Sequence, residues 1–232
     1  MTTVYIISAP SGSGKSTLVN EVRKIVPGLD FSVSYTTRLP RGSEQNGREY
    51  FFVQRAEFNA MIARDEFLEF AEVFGNGDCY GTARSFLREA QEHGHDLLLD
   101  IDVQGAAQIK RRIPDAASIF VLPPNREALE WRLRNRGLDS EKVICRRLDT
   151  ARQEIENYDK YDYILVNDRL EQSIDQLKAI LLSERLRRSV RPPTDEEQAK
   201  LALADRNRLE NMRSRIQPIL DSFRDNPGHC PH

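Results

Sequence analysis

Ala9-Pro10-Ser11-Gly12-Ser13-Gly14-Lys15-Ser16 is the stretch from which the rest of the chain is read. It fits the pattern G-x-x-x-x-G-K-S/T, with alanine where the first glycine usually stands. Gly12 and Gly14 let the backbone turn so that consecutive N–H groups face one anion. A helix opening near Lys15 adds its positive N-terminal end. Lys15 suits the β- and γ-phosphates of a nucleoside triphosphate, and the Ser16 hydroxyl suits Mg²⁺. Ala9 is compatible if its φ is negative. The flanks agree with this reading. Val4–Ile7 is a short apolar, β-forming run before the loop. After it, Ser16–Val26 has apolar residues at 18, 19, 22, 25 and 26, a helical spacing that Pro27-Gly28 stops.

Residues 32–84 change character. Phe31–Thr37, Glu49–Val53 and Phe67–Phe74 read as strands, and Ala56–Asp65 as a helix. Arg38–Arg48 is a polar loop, and Gly75–Asp78 is a strong turn signal. Together they predict a small β-rich insert. Thr82–Gln91 then reads as helical. Leu97–Asp102 is a continuous apolar run ending in acids, the pattern of a strand buried on both faces of a parallel sheet. Helix Gln104–Arg112, strand Ser118–Leu122, charged helices Arg126–Gly137 and Ser140–Tyr158, strand Tyr163–Val166 and helix Leu170–Arg188 continue the alternation. The expected fold class is α/β, in three layers around a parallel β-sheet. Arg191-Pro192-Pro193-Thr194 breaks the chain. Asp195–Met212 reads as one solvated helix packed along one side.

Composition excludes several classes. The 232 residues carry 34 Lys+Arg against 36 Asp+Glu, a net charge of −2. A dedicated nucleic-acid binder usually shows a basic excess, so no nucleic-acid partner is expected. No apolar run is long enough to span a bilayer, and the first residues lack a secretory pattern. A cytoplasmic protein without a membrane partner is expected. The sequence leaves monomer and homo-oligomer equally open. Cys79, Cys145 and Cys230 are too sparse for a disulfide framework or a zinc cluster and are expected as reduced thiols. His93 and His95 read as part of a solvated helix-to-strand turn, since a metal site needs further ligands. His229 and His232 fall in a Pro- and Gly-containing tail.

Three further groups carry chemistry. Asp100 and Asp102 end the buried run, where parallel sheets bind ligands. An acid there holds Mg²⁺ through water or accepts the N–H groups of a base, or caps the next helix. Arg38 and Arg41 flank Pro40 in the insert and suit a phosphate monoester, with Tyr50 and Tyr80 adding hydroxyls. Arg132, Arg134, Arg136, Arg146, Arg147 and Arg152 lie on the two charged helices. Most fit a solvated face, and one or two suit the closing of a site over a transferring phosphoryl group. The layout is that of a kinase acting on a small phosphorylated acceptor.

At this level the sequence resembles the guanylate kinase family. Ser32-Val33-Ser34-Tyr35-Thr36-Thr37-Arg38-Leu39-Pro40-Arg41 resembles the motif S-V-S-x-T-T-R-x-P-R. Gly47–Val53 resembles G-x-D/E-Y-x-F-V, and Leu99–Gly105 resembles L-D-I-D-x-Q-G. Arg134–Gly137, Arg146–Leu148 and Val166–Asp168 resemble the lid motifs and the late nucleotide-contacting turn. The resemblance runs from about Val4 to Arg188. It implies a P-loop NTPase core (1–31, 85–123 and 159–190), a GMP-binding insert (32–84), a helical lid (124–158) and a C-terminal helical extension (191–232). It implies the reaction ATP + GMP ⇌ ADP + GDP with Mg²⁺, for GTP and dGTP supply and GMP recycling. ATP would lie on Ala9, Pro10, Ser11, Gly12, Ser13, Gly14, Lys15, Ser16 and Thr17, with Asn167 near the adenine. Ser34, Glu69, Thr82 and Asp102 match positions that contact guanine, and Arg38, Arg41, Tyr50 and Tyr80 match contacts to the GMP phosphate. Asp100 would share the acceptor site and reach the metal through water, opposite Ser16. Lys15, Arg136 and Arg147 would stabilise the γ-phosphoryl group in flight.

The turn departs from the family pattern. Gly75-Asn76-Gly77-Asp78-Cys79-Tyr80-Gly81-Thr82 is two residues longer. The two extra residues, within Gly77–Cys79, are expected to bulge outward, and Asp78 to weaken GMP binding by repulsion. Three other readings are weaker. A related kinase with another acceptor would not need two carboxylates facing a base. A protein-binding relative would lack the phosphate loop. Nucleic-acid binding would need excess positive charge.

Overall fold

A computed structural model describes residues 2–72, 77–135, 140–189 and 191–224. In chain order the elements are β1 Val4–Ser8, α1 Lys15–Ile25, β2 Leu29–Phe31, β3 Tyr35–Thr36, β4 Phe51–Phe52, α2 Arg55–Ala63, β5 Phe67–Glu72, β6 Cys79–Ala83 and α3 Arg84–His93. Then follow β7 Asp96–Asp100, α4 Val103–Arg112, β8 Ala117–Leu122, α5 Arg126–Asn135, α6 Glu141–Ile155, β9 Tyr163–Val166, α7 Leu170–Arg187, α8 Asp195–Asp205 and α9 Leu209–Arg224. The class is α/β with parallel core strands, as the alternation predicts. The chain forms two compact units: residues 1–7 with 27–116, and residues 8–26 with 117–232.

In the first unit β7 pairs in parallel with both β1 and β2. Leu97, Leu98 and Leu99 are fully buried, which explains a strand apolar on both faces. A second sheet has the order β4-β3-β6-β5. β3 is parallel to β4 and antiparallel to β6, and β6 is antiparallel to β5. Phe58, Met61, Phe67 and Cys79 form its core under α2. Its four strands lie between residues 35 and 83, within the stretch 32–84 that was read as β-rich.

Phe31–Thr37 is not one strand. The Ser32 N–H still donates to Leu98 O at 3.2 Å, whereas Ser34 O accepts from Phe51 N at 2.9 Å. The chain changes sheets between them. Thr82 is not helical but lies in β6, fully buried opposite Glu69. Cys79 does not bulge outward. It is buried, its N–H donates to Thr37 Oγ1 at 2.9 Å, and the Arg55 guanidinium reaches its sulfur. Gly77 is exposed and Asp78 half-buried, while Gly75 and Asn76 lie outside the described residues.

In the second unit β8 runs parallel to β9, and α1 packs on α7. The single helix expected over Asp195–Met212 is two helices. Between them Asn207 O accepts from Ile164 N at 2.8 Å and Leu209 N donates to Asp162 O at 3.1 Å, so Arg208 bridges Tyr163 antiparallel. Pairing with strand β9 interrupts the helix. Helix α9 then packs on α5, α6 and β9 with Met212, Ile216, Ile219, Leu220 and Phe223 buried. Three reduced thiols were expected. Cys79 is free. Cys230 lies outside the described residues. No helix among them is long and apolar enough to cross a membrane.

Candidate active site

The second unit holds the phosphate loop. Gly12 and Gly14 have φ of 94° and 85°, the left-handed values that only glycine takes without strain. Ala9 is not among the described positive-φ residues, which explains why alanine is accepted there. The Ser13 N–H closes the turn on Pro10 O at 3.1 Å. No acidic residue lies in the first turn of α1, so nothing there opposes an anion. Ser11, Ser16 and Thr17 are exposed, Lys15 and Ala9 half-buried, and Pro10 and Ser13 buried.

The loop is braced from behind. Ser13 O accepts from Asn167 Nδ2 at 2.7 Å and from Arg132 Nη1 at 3.2 Å. Arg132 Nη2 also donates to Asn167 O at 2.8 Å. A Cβ on Gly14 would lie 2.5 Å from Asn167 Nδ2, and one on Gly12 would lie 2.9 Å from Leu129 and Leu133. Asn167, expected beside adenine, uses one of its two amide N–H groups to hold Ser13 O. Burial lowers the pKa of Arg132, with Asp168 opposing the shift. Arg147 is half-buried on α6, and Arg136 lies outside the described residues.

The first unit gathers the acceptor-site candidates into two groups. Arg38 is buried beneath Tyr50, with its Cζ 5.2 Å from that ring's centroid. Its Nε donates to Tyr80 Oη at 3.0 Å, and its two Nη atoms fork onto Glu44 at 2.9 and 3.0 Å. The Arg41 N–H donates to Glu44 Oε2 at 2.7 Å, while the Arg41 side chain is exposed. Burial alone would lower the Arg38 pKa, and the bonds to Glu44 and Tyr80 more than reverse it. The Arg38 fork in turn holds the Glu44 carboxyl below its ordinary value. Glu44 thus sits on the guanidinium edge that suits a phosphate.

The second group reads as a base pocket. Glu69 on β5 is buried and accepts from Thr82 Oγ1 at 2.6 Å. Asp102 caps α4, with its Oδ1 accepting from Gly105 N at 2.7 Å. A Cβ on Gly105 would come within 2.5 Å of Glu69 Oε2, so only glycine lets that carboxylate in. Burial raises the Glu69 pKa to about 7, with Thr82 opposing the shift and Asp102 adding to it. Ser34 is buried nearby in sequence, between the two sheets' strands, and Asp100 ends β7 half-buried.

Helix α4 holds this pocket in place. Strand β5 lies at the edge of its sheet, and α4 satisfies its free backbone groups. Gln108 Nε2 donates to Phe70 O at 2.7 Å, and Gln108 Oε1 accepts from Phe70 N at 3.3 Å. Arg112 Nη1 donates to Phe67 O at 3.0 Å and also reaches Leu68 O. Gln108, Arg112 and Glu44 escaped the sequence reading, which named Arg132 only among six arginines of the charged helices. The first two follow Gly105 by three and seven residues, on one helix face, which was the available signal.

Residues 1–184 match the family model described as guanylate kinase. The chain is 60% identical over 226 residues to a guanylate kinase of Koribacter versatilis (strain Ellin345), covering 96% of each chain. It is 51% identical over 189 residues to a guanylate kinase of Escherichia coli (strain K12), covering 81% of this chain and 90% of that one. A crystal structure of guanylate kinase from Anaplasma phagocytophilum is similar with a TM-score of 0.65 at 34% identity, covering 80% of this chain and 87% of that one.

Proposed function

Because the chain belongs to the guanylate kinase family, we propose that it moves the γ-phosphoryl group of ATP onto GMP, giving ADP and GDP. The observation that carries the acceptor is the buried Glu69 beside Thr82, with Asp102 next to it and Gly105 making room. Guanine presents N1–H and N2–H donors, which two carboxylates accept. Adenine presents an N1 acceptor there and would leave buried carboxylate oxygens unmatched. Ser34 completes the base contacts in this reading. Arg38, Arg41, Tyr50 and Tyr80 take the GMP phosphate, which replaces Glu44 on part of the guanidinium edge.

The phosphate loop, residues 9–17, takes ATP through its backbone N–H groups, and Lys15 balances charge on the β- and γ-phosphates. Asn167 and Arg132 act by holding Ser13, so the loop needs no reorganisation when charge develops. Arg147 and Arg136 supply further positive charge to the group in flight. The exposed Ser16 hydroxyl and the Asp100 carboxylate are each hard oxygen donors of the kind that suits Mg²⁺. Bound Mg²⁺ would neutralise phosphate charge. No covalent intermediate on the protein is involved; positioning and charge stabilisation suffice. The reading places the protein in the cytoplasm, among the nucleotide pools it would serve for GTP and dGTP supply.

The test is an ADP-release assay with Mg·ATP and GMP, dGMP, AMP, UMP or CMP in turn. Rapid turnover is expected with GMP, at least ~100-fold above AMP. Lys15→Ala should abolish it. Equal turnover with AMP, or turnover indifferent to Lys15, would sink the reading.

A further inference from the structure

Away from both groups of candidate residues, three side chains converge at the amino ends of β2 and β7. Asp30 lies on β2, His93 ends α3, and His95 immediately precedes β7. The candidate ligand atoms of the three all lie within 4.8 Å of one another. His95 Nδ1 is 2.9 Å from Asp30 Oδ1, and His93 Nδ1 is 3.8 Å from Asp30 Oδ2. Two ligands each ~2.1 Å from a tetrahedral zinc ion lie about 3.4 Å apart. The two observed separations bracket that distance. Only small rotamer adjustments are therefore needed to enclose an ion.

The backbone holds this arrangement. Gly94, at φ 68°, ends α3 in the left-handed conformation. Its N–H bonds Gln91 O at 3.2 Å, and the His95 N–H bonds Ala90 O at 2.9 Å. This tight turn folds the chain back and brings the two imidazoles to 5.6 Å between ring centres. The third ligand is fixed from the sheet, where Asp30 pairs with Leu97. His95 and Asp100 are five residues apart along β7, or about 16 Å of strand. The cluster is thus separate from the Asp100–Asp102 end, where the acceptor chemistry was placed.

We infer that Asp30, His93 and His95 form a binding site for a divalent first-row transition metal, with zinc as its best occupant. Two imidazoles and one carboxylate form a borderline donor set that suits Zn²⁺ and leaves a fourth position for water. Mg²⁺ prefers oxygen ligands and keeps its waters, so the metal of the phosphoryl-transfer reaction does not fill this site. Binding displaces the hydrogen held between His95 Nδ1 and Asp30 and ties edge strand β2 to the α3–β7 turn. An ion bound only by the folded chain stabilises it.

The test uses Zn²⁺ itself, added to chelator-stripped full-length protein in excess magnesium, with a competing zinc dye as the readout. One zinc per chain is expected, together with a rise in Tm. His95→Ala and Asp30→Asn should each weaken binding by ~10- to 100-fold while leaving the circular dichroism spectrum unchanged. The chain has four histidines, and the other two, His229 and His232, are a competing source of ligands. The double variant His229→Ala, His232→Ala should bind as the parent does. Absence of zinc binding, binding indifferent to His95 and Asp30, or loss of binding in the tail variant would each overturn the proposal. The readout does not depend on turnover, so its failure leaves the kinase reading untouched.

Discussion

Glu69 is the side chain on which the proposed base choice and the stability of the chain meet. Burial lifts its pKa to about 7. An acid raised in this way binds its proton more tightly in the folded chain than in the unfolded chain. Its ionisation therefore costs stability increasingly as pH rises from the ordinary carboxylate range through about 7. Glu69→Gln keeps the shape and removes the charge. In the nucleotide-free protein it should raise Tm at pH 8 and change it little at pH 5. The same substitution should raise the KM for GMP at pH 8 by ~10-fold or more, since a neutral amide presents one acceptor oxygen in place of two. In the parent, KM for GMP should rise as pH falls from 8 to 6 while KM for ATP stays flat. A flat GMP profile would mean that the ionised carboxylate does not read the base.

Gly105→Ala is a second test at this scale. Its φ is helical, so the substitution brings no backbone strain, but the new methyl group meets Glu69 Oε2 at 2.5 Å. The carboxylate must move. GMP affinity should fall by at least ~10-fold with ATP affinity unchanged, read by separate equilibrium titrations. Gly105 was legible within its motif. The reason for it was not, because the clash comes from a strand 36 residues earlier in the chain.

At the scale of elements, local spacing and tertiary pairing separate cleanly. The phosphate loop, α1 and β7 were legible because their signals are local: glycine placement, a 3.6-residue period and an unbroken apolar run. The break between α8 and α9 was not, because charged residues 195–212 carry no stop signal. What interrupts the helix is the edge of β9 bonding to residues 207–209. Likewise Thr82 continues β6 because Glu69 and Phe70 of β5 lie opposite, a fact no local pattern contains. Gln108 and Arg112 matter only because β5 is an edge strand.

Helix α9 gives the clearest test at this scale. Phe223 is 3% exposed and Ile216 fully buried, on a helix that packs against α5 and α6. Phe223→Ala should destabilise the chain by about 3–5 kcal/mol and Ile216→Ala by about 2–5 kcal/mol in denaturant melts. Changes below about 1 kcal/mol would show that α9 is not part of the folded core. The extension beyond residue 184 also has a counterpart in the Koribacter relative, whose match covers 96% of this chain.

For the whole molecule, the proposed reading gives each unit one half of the chemistry. Residues 8–26 and 117–232 include the phosphate loop and the residues that brace it, and residues 27–116 include the candidate acceptor groups. The near-neutral charge of −2 agrees with ligands bound by local arginine groups in place of a basic surface. The acceptor half was legible only through several motifs in order, since its candidate residues are spread over β5, β6, β7 and the segments between elements. Glu44 was hidden for a related reason: its pairing with Arg38 depends on how the loop folds back. Direct transfer between two nucleotides is tested by following the phosphoryl group itself. The chain is incubated with Mg²⁺, GMP and ATP radiolabelled in its γ-phosphate, and the products are separated. The label should appear in GDP as fast as ADP forms, and Glu69→Gln and Lys15→Ala should each suppress it. Label released as inorganic phosphate, or GDP unlabelled while ADP accumulates, would contradict direct transfer.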